Sequence, residues 1–394
     1  MTLSEKETIL KRLRSEVPIV ANNDIIYLNA SYQPPMNNIV ANSIKRYVEQ
    51  GLYSKNPKPE WINECEIVRS KIAKFIGANS EDMVFTRDTT ESCNLFQRSI
   101  KFKKGDNVVI LRGEHPNQTS GWLGLTTEGL NVKFVEVDES NPDSYNAETF
   151  KDSIDDDTIA IGISSIMFHS GLRNDIKSIC DEFRPKGIHI LVDATQEIGF
   201  GKINVKELGV SAMAFGIHKG LSCPTGLGLL YIDPKIILEL KDTPPIMSAG
   251  SLSNITSTLI TPNPYKCFKS AKRYEHLNKA MLQCIALGEY LDFINEISIE
   301  FIENHLENLG VYLRLKMSEI GVKVIGPNDI NSRSPHSNVL CLESLDWQQF
   351  FIDNNVFISK YRAGVRVSFG MYNNQEDVDK FVKVIQKGLD LGMK

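Results

Sequence analysis

Between about residue 80 and residue 235 the chain alternates short apolar runs with amphipathic stretches. The runs are MVFT (83–86), NVVIL (107–111), KFVEV (133–137), TIAIGIS (158–164), IHILVD (188–193), SAMAFGI (211–217) and LGLLYID (227–233). Several are apolar almost throughout, as expected of strands covered by helices on both faces. Helical patterns lie between them, around 89–101 and 172–184. The alternation predicts an α/β sandwich on a largely parallel central sheet.

Beyond residue 270 the pattern changes. A long helical region is predicted over 271–319, with little Gly or Pro beyond Gly288 and Gly310. Short strand candidates follow: KVIG (323–326), NVLCLE (338–343), VFIS (356–359) and VRVSF (365–369), then a terminal helix from about 374 to 391. This part reads as a smaller α+β domain. The expected division is a large domain over 20–270 and a small domain made of 1–19 and 271–394. Two segments read as irregular: SKNPKPEW (54–61), and the Pro-, Ser- and Thr-rich stretch 242–268, expected to border an active site or a subunit interface.

Composition narrows the function classes. A chain of 394 residues is too long for one small core. The net charge of −5 shows no basic excess, so neither nucleic acid nor an anionic membrane is expected as a partner. The opening MTLSEKETILKRLRSEV is charged and helical in pattern and lacks the apolar centre of a secretory signal. No run of 18 apolar residues predicts a membrane span. The seven Cys are scattered and none lies in a CxxC pair. That fits reduced thiols in a cytoplasmic protein, with neither a disulfide framework nor a metal site.

The chemistry-bearing stretch is AFGIHKGLSCPTGLGLL (214–230), where His218 and Lys219 stand side by side just where an apolar run stops. Upstream, ILVDATQEIGF (190–200) reaches Asp193 at the end of another such run. In a parallel sheet the C-terminal strand ends meet in one crevice, where ligands bind. Asp193 and Lys219 are therefore expected to face each other. Their residue types fit a structural ion pair, and equally a lysine that holds a carbonyl cofactor while the acid pairs a pyridinium nitrogen. In FTRDTTESCNLF (85–96) a strand passes into a helix through Asp88, Thr89 and Thr90. This is an ordinary helix cap, or an anion site if the loop opens onto the same crevice.

The stretch 191–232 resembles the signature of the class V aminotransferase family, among the fold type I enzymes that use pyridoxal 5′-phosphate. Further matching segments are DIIYLNASYQPP (24–35), FTRDTTESCNLF, GEHPNQTSGW (113–122), SSIMFHSGLRNDIKSI (164–179), AKRYEHLN (271–278) and GVRVSFGMYNNQEDVDKFV (364–382). The resemblance implies a large α/β/α cofactor domain, a smaller α+β domain and an α-amino-acid substrate. It assigns Lys219 as the Schiff-base lysine and the group that moves the α-proton. Asp193 would pair the pyridine nitrogen, Gln196 approach the phenolic oxygen and His115 stack on the ring. Thr89, Thr90 and His218 would hold the phosphate. Asn278 would reach the phosphate of a neighbouring subunit, which implies a homodimer with composite sites. Arg366 would bind the substrate carboxylate, and Asn29 stands where relatives carry an Asp and touches substrate.

One departure is Gly216, where many relatives have Ser, so that a replacement donor is to be sought. Another is VFISKYRAGVRVSFG (356–370), which has no Cys of the kind a persulfide-forming desulfurase needs. The resemblance thus favours a lyase cleaving a cysteine-derived or other β-substituted amino acid. An aminotransferase or epimerase is the alternative. A non-catalytic cofactor-binding protein is disfavoured because Lys219, Asp193 and Arg366 are all present.

Overall fold

The computed structural model describes residues 3–138, 143–362 and 364–393. Of the segments quoted above, Met1, Thr2 and Ala363 lie outside the described residues. The first strand, β1 (Ile26–Tyr27), is followed by β2 (Met83–Thr86), β3 (Asn107–Leu111), β4 (Asn131–Val135), β5 (Thr158–Ser164), β6 (His189–Asp193), β7 (Ala212–Gly216) and β8 (Gly228–Ile232). Strands β2 to β8 form one sheet in the order β2-β8-β7-β6-β5-β3-β4. All neighbours are parallel except β8, which runs antiparallel to both β2 and β7.

Successive side chains on a strand point to opposite faces. Accordingly Val109, Ile161, Val192 and Phe215 join one apolar core, whereas Val108, Ala160, Leu191 and Ala214 join another across the sheet. The second core is closed by the helices Thr89–Ser99 and Pro116–Gly124, which bring in Phe96 and the fully buried Trp122. Two buried faces explain the unbroken apolar runs. Strand β4 is the edge and is only half-buried, and its pairing with β3 starts at Asn131, two residues before the predicted run.

The C-terminal part adds β9 (Ser337–Leu340), β10 (Val356–Phe357), β11 (Ser359–Tyr361) and β12 (Gly364–Ser368). An antiparallel sheet runs β11-β12-β9, and β1 pairs in parallel with β10. The KVIG run forms no strand; only Val324 bridges, to Leu340. The expected single helical region over 271–319 is instead a 3-10 turn (Ala271–Tyr274), a non-helical stretch and two helices, Met281–Ile297 and Ile299–Glu319. The break falls at Ser298, whose φ of 85° leaves the helical region and whose hydroxyl accepts from the Phe301 N–H. The helix Met281–Ile297 packs against Asn38–Tyr53 and Lys58–Phe75. SKNPKPEW is irregular only to Pro57, because the helix Lys58–Phe75 starts there. The segment 242–268 holds little regular structure: a 3-10 turn (Ala249–Ser251) and a bridge between Leu252 and Cys267. Among the described residues no helix is long and apolar enough to cross a membrane.

Candidate active site

The register of the sheet sets the site. Ser164, Asp193 and Ala214 are partners across β5, β6 and β7, so these strands finish side by side. The loops that leave them enclose a cavity of about 110 Å3 lined by Thr89, His115, Asn117, Ser164, Ile166, Phe168, Asp193, Thr195, Gln196, His218 and Lys219. A wider groove of about 520 Å3 lies elsewhere, by Arg173, Lys202 and Asn331. It holds none of the strand-end acids or amines, and its Arg173 is ion-paired to Glu197 and Glu303. The smaller cavity is the one with convergent, perturbed groups.

Lys219 sits on the turn after β7. Burial, with Arg366 nearby, brings its ammonium down to about 8, while Asp193 pulls the other way. Its neighbour Gly220 is required: a Cβ there would lie 2.2 Å from the carbonyl oxygen of Ile198. The lysine turn therefore lies directly on the turn that follows Asp193. The Asp193 Oδ1 accepts the Thr195 N–H at 2.9 Å. Gln196 donates from Nε2 to the Ser31 carbonyl at 3.2 Å, while its Oε1 is buried without a partner.

His115 caps the helix Pro116–Gly124 through Nδ1, which accepts from the Asn117 N–H at 3.1 Å. That bond places the proton of the neutral ring on Nε2. Burial lowers its pKa, aided by Lys219 against Asp193, and keeps the ring neutral. The ring meets Phe168 edge-on, with centroids 4.9 Å apart. Behind it Glu114 is fully enclosed and pushed up to about 7, chiefly by burial. Both of its oxygens accept from Ser164, from the backbone N–H at 2.7 Å and from Oγ at 2.5 Å.

At the other end, Asp88 caps the helix Thr89–Ser99 by accepting from the Glu91 N–H. Thr89 is buried in the cavity wall and its hydroxyl lies 2.9 Å from that of Thr195. Thr90, by contrast, is exposed and does not line the cavity. His218 is brought down to about 4 by burial and by Lys219, so it too is neutral.

Arg366, on β12, is buried. Its Nη1 donates to the Phe168 carbonyl at 2.7 Å, and its guanidinium carbon lies 4.5 Å from the Tyr361 ring centroid. Nε and Nη2 are buried with no hydrogen-bond partner among the described residues. A buried guanidinium fork left open is a ready carboxylate site, since unmade bonds of a charged group are costly. Asn29 lies beside this region rather than in the cavity: it bridges to Ser368 and its Oδ1 accepts from the Ser359 hydroxyl at 2.7 Å. Asn278 is exposed, accepts a bond from Lys58 Nζ at 3.3 Å, and is not part of this chain's own cavity.

The sequence reading gave no role to Thr195, Phe168, Ser164 or Glu114. Thr195 was within reach as the third residue of the Asp-Ala-Thr-Gln run. Phe168 had no signal beyond its place in SSIMFHSG. No cysteine lines the cavity. Cys223, close to Lys219 in sequence, is fully buried and its thiol is pushed far up by burial. Tyr361 pairs with Gly364, so only two residues separate β11 from β12. Among the described residues, no cluster of three or more His, Cys, Asp and Glu is arranged to hold a metal.

Comparison with known proteins bears on the fold and the family. An uncharacterized aminotransferase of Schizosaccharomyces pombe is 47% identical over 99% of this chain and 98% of its own. An apo cysteine desulfurase from Thermococcus onnurineus superposes with a TM-score of 0.83 at 23% identity, covering 96% of this chain and 97% of its own. The cystine C–S lyase C-DES, in complex with its product cysteine persulfide, gives 0.81 at 16% identity, covering 93% and 98%. At those identities the two structures speak for the fold alone. The sequence profile of the family described as aminotransferase class-V matches residues 48–381, and the chain belongs to that family.

Proposed function

We propose that this chain is a lyase that removes the α-proton of an amino acid and expels a β-substituent, acting on cysteine-derived or similarly substituted substrates. The cofactor is pyridoxal 5′-phosphate, as in its family. The residues present fit it: an aldehyde-reactive amine, an acid at the adjacent strand end, buried hydroxyls at a helix start, and the unpartnered Gln196 Oε1. When bound, the cofactor supplies an electron sink for the carbanion at the α-carbon.

The chain's own residues do the rest. Lys219 is the residue that would hold the cofactor at its aldehyde carbon, and its freed amine would carry the α-proton. An amine with a pKa of about 8 is neutral often enough to do both near neutral pH. Asp193 would pair a pyridine nitrogen and keep it protonated. The Arg366 fork orients the substrate carboxylate and so fixes which α-substituent faces Lys219. The observation that carries this reading is Lys219, buried in the cavity wall and under the opposing charges of Asp193 and Arg366.

Elimination is favoured over persulfide transfer because the β11–β12 connection carries no Cys and Cys223 is buried away from the cavity. Transamination is the second reading, supported by the 47% identical relative named as an aminotransferase. We also propose a homodimer in which Asn278, exposed and outside the lining of its own cavity, completes the partner's site.

The test begins with the absorption spectrum. A visible band on adding the cofactor, absent in Lys219→Ala, is expected. Release of pyruvate and ammonia from S-substituted cysteines supports the lyase. A keto acid that retains the side chain, with pyridoxamine phosphate formed, supports the aminotransferase. Absence of α-hydrogen exchange with any amino acid in heavy water would overturn both.

A further inference from the structure

Thr195 lies between the two best-marked parts of the cavity. Its N–H is spent on Asp193. Its hydroxyl accepts from the Gly216 N–H at 3.3 Å and lies 2.9 Å from the Thr89 hydroxyl. The side chain is buried and lines the cavity together with His218. This ties the end of β6, the end of β7 and the start of the helix Thr89–Ser99 into one corner.

Gly216 leaves that corner open. A Cβ there would start 2.9 Å from His218 Nδ1 and 3.1 Å from Thr89 Oγ1, so a side chain would enter between them and need both to give way. Thr195 reaches the backbone of Gly216 instead. Proton counting then points outward. The Thr89–Thr195 pair has two hydroxyl hydrogens, and one is used between the two oxygens. With the Gly216 N–H already donating to Thr195, the second hydrogen is left for another acceptor. The nearby carboxylate of Asp88 is turned to its own helix, at the Glu91 N–H.

We propose that Thr195 is a binding residue for the cofactor's phosphate, supplying with Thr89 the hydroxyl donor that the glycine at 216 cannot. This rests on the assignment of pyridoxal phosphate as the cofactor. The test compares apo wild-type chain with Thr195→Val, Thr195→Ala and Thr195→Ser by equilibrium titration with pyridoxal phosphate and with pyridoxal, which lacks the phosphate. A hydrogen bond to a charged group is worth enough that Val and Ala should weaken pyridoxal phosphate binding about tenfold or more. Pyridoxal should bind all four proteins within about twofold, and Ser should keep most of the phosphate-dependent affinity. If the valine variant does not fold, as judged by its circular dichroism, the Ala–Ser pair carries the comparison. Equal weakening towards both ligands, or no weakening towards either, overturns the proposal. A wild-type chain that takes up neither ligand overturns the cofactor assignment itself, and this role with it.

Discussion

On the proposed reading two sets of groups would hold anions by different means, one in the cavity wall and one beside it. In the wall Thr89, Thr195 and His218 are all neutral donors, because His218 stays unprotonated down to about pH 4. They come from consecutive strand ends and one helix start. Beyond the wall at Phe168, Arg366 is a permanent charge, brought in from the small sheet and steadied by the Phe168 carbonyl and the Tyr361 ring. Behind it His336 is stacked on Phe200, with Ser31 and Ser334 on its two nitrogens. The difference has a reason in Lys219. Arg366 already lowers its pKa, and a second cation at the phosphate end would lower it further. Neutral donors suit a resident group, and a single fixed charge suits a substrate that must come and go.

The sharpest break in that comparison is Arg366→Met. Loss of a buried charged fork should cost at least about 100-fold in kcat/KM for any α-amino acid, while pyridoxal phosphate affinity stays within about twofold by titration. An equal fall in both would mean that the ends are not separate. Arg366→Lys should recover little, because an ammonium cannot form the bidentate fork. Next in size is a pH effect. With Lys219 at about 8, the neutral amine grows about tenfold from pH 7 to pH 9. The rate at which apo protein captures the cofactor aldehyde, followed by stopped-flow absorbance, should rise accordingly. Arg366→Met removes a charge that lowers this pKa and should move the profile to higher pH. An unmoved profile would deny the electrostatic link between the ends. Thr89→Val should weaken the cofactor about tenfold, the value of one hydrogen bond to an anion, and leave KM for substrate unchanged.

How much of this was legible follows the same division. The sheet strands announced themselves because both faces are buried, and the phosphate end could be read because strand ends carry it. Lys219, Asp193, His218 and Thr89 all lie in one 131-residue stretch of alternating elements. The small sheet was harder. β10 and β11 are two and three residues long, and KVIG forms only one bridge, so periodicity had too little to work on. The break at Ser298 lies between two good helix patterns and is set by one dihedral angle. Phe168 and Tyr361 gain meaning only from packing on Arg366, from positions 198 and 5 residues away, and no local pattern records that. Thr195 was missed for another reason. Its neighbours Asp193 and Gln196 had roles already, and only the contact with Gly216 gives it one.

The smallest expected effect tests the phosphate end residue by residue. Thr89 and Thr90 are adjacent at the helix start, yet only Thr89 turns its hydroxyl inward. Thr90 is exposed, its carbonyl accepts from Asn94 Nδ2 at 2.9 Å, and its side chain is absent from the cavity wall. A helix start offers anions its backbone N–H groups, which an alanine keeps. Thr90→Ala should therefore leave pyridoxal phosphate affinity within about twofold of wild type, where one hydrogen bond to an anion is worth tenfold or so. A loss as large as that of Thr89→Val would show that the loop turns Thr90 inward when the anion arrives, and the phosphate end would then be a corner built on binding, not one that stands ready.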